Sequence, residues 1–274
     1  MPIHPTAIID KQAHVPPSAD IGPHVVIEGP VKIGEQVKVY PNAYISGWTE
    51  VGDRVQIHPG AVVGHLPQDF NYGGQRSYCK IGAGTVIREF ASIHRGTQPE
   101  SWTTLGEECF ILGYAHIGHN CTLGDRVKLY NNSLLAGHVS VGDDAIISGG
   151  CLVHQFCRVG SRVMAGGGTR IIKDIPPFMT CLHESRVVGI NAFGMRRSKK
   201  YSLEELAEVK DIYKLLYRSG LHFRDSIKQV TESARTSAGQ CIAAFLNGES
   251  KRGFAGPIRD DEGESANAEN VEIV

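Results

Sequence analysis

The stretch Leu105-Gly106-Glu107-Glu108-Cys109-Phe110-Ile111-Leu112-Gly113-Tyr114-Ala115-His116-Ile117-Gly118-His119-Asn120-Cys121-Thr122-Leu123-Gly124-Asp125-Arg126-Val127-Lys128-Leu129 decides the fold. Every sixth residue is aliphatic: Leu105, Ile111, Ile117, Leu123 and Leu129. The residue four places after each is small or β-branched: Cys109, Ala115, Cys121 and Val127. Glycine follows the aliphatic residue at Gly106, Gly118 and Gly124, marking recurrent turns. Both columns extend outward, from Ile3 and Ala7 at one end to Val159 and Thr169 at the other. A period of six fits neither an ordinary helix nor a hairpin sheet. It is the hexapeptide repeat of a parallel β-helix. Three hexads close one triangular coil, so residues eighteen apart stack, and coils lie about 4.8 Å apart. An alternating β-sandwich would not hold two columns in phase over so many repeats.

The fold class is therefore mainly β, a parallel β-helix followed by a small α-helical C-terminal domain. The prism is expected over 1–177. Its aliphatic column lapses at Asp69 and Gln75, and again at Pro99. Both lapses keep phase, so they read as loops near 64–80 and 94–104 leaving a continuous scaffold, a common place for function. Residues 178–200 read as an irregular linker. Ser202-Leu203-Glu204-Glu205 is a capping box, and Leu206, Val209, Ile212, Tyr213, Leu216 and Tyr217 follow at helical spacing. The α-helical domain is expected over 201–250. Residues 251–274, polar and acidic, are expected to be disordered.

The net charge of −1 argues against bulk nucleic-acid binding. No apolar run approaches the roughly 20 residues of a membrane helix, and Met1-Pro2-Ile3-His4-Pro5 has no signal-peptide character. Of the seven cysteines, Cys79, Cys109, Cys121, Cys151 and Cys157 fall in the small-residue column, which makes them core thiols. An odd count without a disulfide framework suits a reducing, cytoplasmic setting.

Steps of eighteen then align histidines. His119 stacks with Gly137 and Gln155; Asn120 stacks with His138; His154 stacks with Ala136 and Gly118. His116, His119, Asn120, His138, His154 and Gln155 should converge over three coils, within roughly 10 Å along the axis. A neutral imidazole there can act as general base. A neighbouring amide can fix its tautomer, and the Gly137 N–H can meet a developing oxyanion. His116, His119 and His138 could also be read as metal ligands, but no carboxylate or thiolate joins them, so no metal is expected.

Three segments carry a family resemblance: Tyr114-Ala115-His116-Ile117-Gly118-His119-Asn120-Cys121, Asn131-Asn132-Ser133-Leu134-Leu135-Ala136-Gly137-His138-Val139 and Val153-His154-Gln155-Phe156. With Pro67-Gln68-Asp69, Ile93-His94-Arg95-Gly96, Asp174-Ile175-Pro176-Pro177 and Tyr213-Lys214-Leu215-Leu216-Tyr217-Arg218-Ser219-Gly220, the chain resembles the acyl-ACP–UDP-N-acetylglucosamine O-acyltransferases over roughly 1–247. The resemblance implies a left-handed prism and a homotrimer with sites between subunits. It implies transfer of an R-3-hydroxyacyl group from acyl carrier protein to the 3-hydroxyl of UDP-N-acetylglucosamine, the first step of lipid A biosynthesis. No resident cofactor is implied, since the acyl group arrives as the carrier's 4'-phosphopantetheine thioester. His119 matches the general base and Gly137 the oxyanion donor. Gln68, Asp69, His94, His116, His138 and Gln155 match substrate-contacting positions, with His154 beside them. Asn191 and Arg197 match nucleotide-contacting positions, where an Arg fork suits phosphate oxygens. Met164 and Gly167 match the acyl-chain groove, and glycine at 167 leaves room for a longer hydroxyacyl chain. Arg196, Lys199 and Lys200 face either an acidic carrier protein or solvent.

Three residues depart from the family pattern: Asn120 stands where Asp is common, Asn71 where Lys is usual, and Ser198 where a second Arg is frequent. They leave open a same-fold acyltransferase acting on another nucleotide sugar or on an amine. A non-catalytic sugar-nucleotide binding module is the third reading.

Overall fold

The computed structural model describes residues 3–257. Among them, short parallel strands form sheets of nine, seven and eleven strands, the three faces of a prism. The register is the eighteen-residue step: Val26 pairs with Tyr44, His116 with Leu134, and Leu134 with Leu152. At the two lapses the step lengthens. Val62 pairs with Ser92, and Ser92 with His116. The extra residues leave at one edge, between the nine- and seven-stranded faces, after Val62–His65 and after Ser92–His94.

The aliphatic column points inward. Ile57, Ile87, Ile93, Ile111, Ile117, Leu129 and Leu135 are all fully buried, each contributing about 1.5–3 kcal/mol from burial. The small column lies at the corners, where Cys79, Cys121, Cys151 and Cys157 are also fully buried and Cys109 nearly so. Burial pushes the Cys79 and Cys121 thiols up to about 12, leaving them as inert packing groups. Corner residues such as Asn120, His138 and Phe156 take left-handed backbone, at φ 59°, 60° and 65°.

Three expectations are corrected. Residues 178–200 are not irregular: Met179–Leu182 continues the eleven-stranded face beside Met164–Ala165 and pairs antiparallel with Arg186–Ile190, and α1 follows at Ala192–Ser198. The 178–200 stretch is β-branched and apolar where it pairs, but its hexad phase is lost, which hid it. Secondly, residues 251–257 are ordered. The Asp174 N–H donates to the Gly253 carbonyl at 2.8 Å, and Gly256–Pro257 pairs with Arg186–Val187. The rest of the expected disordered tail, 258–274, lies outside the described residues. Thirdly, the prism runs past 177, through the strand at Met179–Leu182.

Among the described residues the helical part comprises α1, α2 (Leu203–Tyr217), α3 (Phe223–Ser233) and α4 (Ser237–Asn247). The capping box of α2 is formed by Ser202 and Glu205. The buried Asp174 carboxylate takes the Arg158 guanidinium at 2.7 Å, and that guanidinium lies 4.3 Å from the Phe245 ring centroid, joining α4 to the prism.

Candidate active site

The site lies at the edge where both loops leave. His119 occupies a corner, and its Nδ1 sits 3.0 Å from Asn120 Oδ1. That same oxygen accepts the Thr97 backbone N–H at 2.9 Å. The Thr97 donor fixes which end of the amide faces the ring: an acceptor. His119 Nδ1 must therefore carry the proton, and Nε2 keeps its lone pair. The Asn120 N–H in turn donates to Thr103 Oγ1 at 2.8 Å, pinning the corner.

Nε2 faces the long loop. Asp69 Oδ2 lies 3.7 Å away, too far for a direct hydrogen bond. The other carboxylate oxygen, Oδ1, accepts both the backbone N–H of Asn71 at 2.9 Å and its side-chain amide at 3.2 Å. The Asn71 N–H, the nearby His119 and Thr97 hold the Asp69 carboxyl below its usual range. Gln75 ties this loop to the second one by donating to the Thr97 carbonyl. The second lapse thus holds Asn120 against Nδ1, and the first places Asp69 in front of Nε2. Beneath the ring lies Gly137: a Cβ there would stand 2.5 Å from His119 Cε1 and Nε2.

His138 completes the corner, its ring edge-on to His119 at 5.2 Å and stacked on Phe156 at 4.7 Å. Burial, His119 and Lys251 hold its imidazole below the usual range.

The six aligned polar residues form two sets rather than one. His119, Asn120 and His138 belong to the corner. Gln155 is exposed at the same corner, its carbonyl 3.1 Å from His154 Nδ1. His116 stands on the nine-stranded face, hydrogen-bonded at Nδ1 to Ser92 Oγ at 2.8 Å and 4.8 Å from the His94 ring. Burial, then the neighbouring His116, His65 and His119, push His94 down to about 4. Burial and His119 also hold His116 low. A shallow groove crosses this face from His116 and His154 over Leu134 and Leu152 to Arg170. Leu134 and Leu152 are exposed there.

The remaining candidates are spread over other edges. Gly167 is at the far edge of the nine-stranded face, and a Cβ there would meet only Gly149 O, at 3.5 Å. Met164 lies on the eleven-stranded face, paired with Ile146 and Thr180. Asn191 and Arg197 belong to α1, packed at the third edge. The Asn191 side chain caps α1 through the Gly194 N–H at 2.9 Å and donates to the Arg162 carbonyl at 2.9 Å. Arg197 is exposed, as is Gln68 on the long loop. The chain by itself therefore does not bring Asn191, Arg197 and Met164 to His119. Among the described residues no three His, Cys, Asp or Glu side chains are placed to hold a metal ion.

Residues 30–65 and 103–137 match the bacterial transferase hexapeptide family, and residues 174–255 match domain 2 of UDP-N-acetylglucosamine O-acyltransferase. The acyl-[acyl-carrier-protein]–UDP-N-acetylglucosamine O-acyltransferase of Thiobacillus denitrificans is 43% identical over 247 residues, 89% of this chain and 95% of that one. The chain belongs to the UDP-N-acetylglucosamine O-acyltransferase family. Solved structures agree. The Francisella novicida UDP-N-acetylglucosamine acyltransferase superposes with a TM-score of 0.91 at 33% identity, over 99% of this chain and all of that one. Acinetobacter baumannii LpxA gives 0.89 at 35% identity, over 93% of this chain and all of that one.

In this O-acyltransferase all three departures make local contacts. Asn120 sets the His119 tautomer, and Asn71 turns Asp69 toward Nε2. Ser198 donates to the Met195 carbonyl at 2.7 Å within α1. Sequence reasoning missed Gln75 and Thr97, which lie in the lapses where the repeat gives no coordinates. It also assigned no role to Phe156, which the arithmetic of eighteen places beside Asn120 and His138.

Proposed function

We propose that the chain transfers an R-3-hydroxyacyl group from acyl carrier protein to the 3-hydroxyl of UDP-N-acetylglucosamine, the step that opens lipid A biosynthesis. One observation carries the mechanism: His119 has Nδ1 spent on Asn120 Oδ1 and Nε2 open in front of Asp69, above Gly137. The acceptor hydroxyl donates to Nε2. As its oxygen attacks the thioester carbonyl, the proton passes to Nε2. The C–O bond forms, and negative charge grows on the carbonyl oxygen. The Gly137 N–H, which donates to no acceptor among the described residues, meets that charge. Collapse breaks the C–S bond, and the imidazolium returns its proton to the departing thiolate. Asp69 stabilises the imidazolium and orients the sugar. Asn120 has no charge to offer, so Asp69 is the anion that serves here.

The apolar groove over Leu134 and Leu152 suits an acyl chain. Open space at Gly167 favours a longer chain. The split of Asn191, Arg197 and Met164 from His119 supports a homotrimer in which neighbouring edges supply what one protomer lacks. Arg196, Lys199 and Lys200 near α1 suit the acidic carrier protein. No resident cofactor enters this chemistry, since the thioester arrives on the carrier's phosphopantetheine. Among the described residues no helix is long and apolar enough to cross a membrane. We assign the reaction to the cytoplasm on the strength of seven cysteines, of which six are buried and none is bridged among the described residues.

Incubation with UDP-N-acetylglucosamine and a ladder of 3-hydroxyacyl carrier proteins, read by mass spectrometry, tests this reading. An ester product with free holo carrier protein is expected. Acylation only of an amino-sugar nucleotide would overturn the choice of acceptor.

A further inference from the structure

The ladder of rings at the active corner does not end within the prism. His138 meets His119 edge-on and stacks on Phe156. The Lys251 ammonium lies 4.9 Å from the Phe156 centroid. Lys251 comes from the C-terminal segment, which is fastened to the prism end. Arg252 Nε donates to the Ile172 carbonyl at 3.2 Å, and the Ala255 N–H to the Asp174 carbonyl at 2.9 Å. The backbone is thus held while the Lys251 side chain stays exposed. Two neighbouring cations are spent on carboxylates, Arg158 on Asp174 and Arg170 on Glu184, both at 2.7 Å. Lys251 has no carboxylate partner among the described residues.

We propose that Lys251 holds the diphosphate of the acceptor nucleotide sugar. The proposal rests on the acyltransfer reading above. With the sugar hydroxyl at His119, the diphosphate must lie beyond the sugar ring. Lys251 sits against a corner two coil spacings from His119, about 10 Å along the axis, a span that a hexose and its glycosidic phosphates bridge. A diphosphate brings negative charge, and within one protomer the corner otherwise offers it imidazoles and the Asp69 carboxylate. An ammonium resting on an aromatic face keeps its stem packed and its head wet, so it pairs with phosphate at little desolvation cost. Arg197, the other phosphate-binding candidate, sits on a different edge and reaches this corner only from a neighbouring subunit, so Lys251 is the cation that the His119 protomer itself supplies.

The test uses the full chain with Lys251→Met, which keeps the stem and loses the charge, and Lys251→Arg, which keeps the charge. Steady-state kinetics are measured for both substrates, with calorimetric binding of UDP alone. Loss of one charge-assisted contact predicts a rise of about tenfold in KM for UDP-N-acetylglucosamine and in Kd for UDP with Lys251→Met. kcat and KM for the acyl carrier protein stay within about twofold, and Lys251→Arg restores UDP binding. Wild-type turnover with unchanged UDP affinity in Lys251→Met would overturn the proposal alone. A rise confined to KM for the carrier protein would also overturn it, assigning the ammonium to the donor's phosphodiester. A wild-type chain that neither binds UDP nor turns over would overturn the acceptor reading as well.

Discussion

Asn120 Oδ1 lies 3.0 Å from His119 Nδ1, and the Thr97 N–H donates to the same oxygen at 2.9 Å. A neutral amide held by a neighbouring loop thus does the orienting that a carboxylate could do with charge. The loop that holds it is the second lapse of the hexapeptide repeat, tied through Gln75 to the first.

The Asn120→Asp variant separates orientation from charge. Aspartate tolerates the left-handed backbone at this position, where φ is 59°. Its carboxylate keeps the Thr97 bond and stabilises imidazolium. The acidic limb of the pH profile of kcat/KM should move to higher pH than in the wild type. An unmoved limb contradicts a direct His119–Asn120 pairing.

The Gly137→Ala substitution places a methyl 2.5 Å from the His119 ring. The ring must move, and misplacement of a general base by that amount costs roughly 100-fold. kcat/KM should fall by about that factor while the melting temperature changes by only a few degrees. Near-normal turnover contradicts the stacking of His119 on Gly137.

The reverse holds at Gly167, where a Cβ meets only one carbonyl oxygen at ordinary contact distance, 3.5 Å. Gly167→Met should fold and shift preference toward shorter hydroxyacyl donors, by about tenfold or more for the longest chain accepted. Unchanged preference on a donor ladder would remove Gly167 from the groove.

His94 gives a stability prediction. It is 5% exposed, its Nδ1 has no hydrogen-bond partner among the described residues, and its folded value is about 4 against an ordinary 6.5. Between those values the unfolded chain binds more protons than the native one, so stability rises with pH. It is fully present above about 6.5 and lost as pH falls toward 4, by up to about 3 kcal/mol. Denaturant titrations at pH 7 and pH 4.5 should show this loss, and His94→Gln should shrink it. An identical loss in the variant assigns the acid sensitivity elsewhere.

The prism and its register were legible because a period of six repeats itself, and each strand confirms the next. Stepping by eighteen also placed Gly137 beside His119 and His138 beside Asn120. The arithmetic could not say which aligned residues face the corner and which the sheet, so it merged His116 with His119. It was blind inside the loops, where no period constrains position; there Asp69 came from resemblance alone, and Thr97 and Gln75 were not found. Residues 178–200 and 251–257 read as irregular because their strands pair without hexads, stabilised by the helical part packed against them. Asn191 and Arg197 reached the candidate list by resemblance, and no spacing rule relates their edge to that of His119.

The central claim is that His119 Nε2 removes the acceptor's proton. Turnover of 3-hydroxyacyl carrier protein with UDP-N-acetylglucosamine by His119→Ala, measured by mass spectrometry beside UDP binding, tests it most directly. We predict product formation reduced by about 100- to 10,000-fold with UDP affinity within about twofold of wild type. A folded, UDP-binding His119→Ala variant that turns over at the wild-type rate would contradict the account.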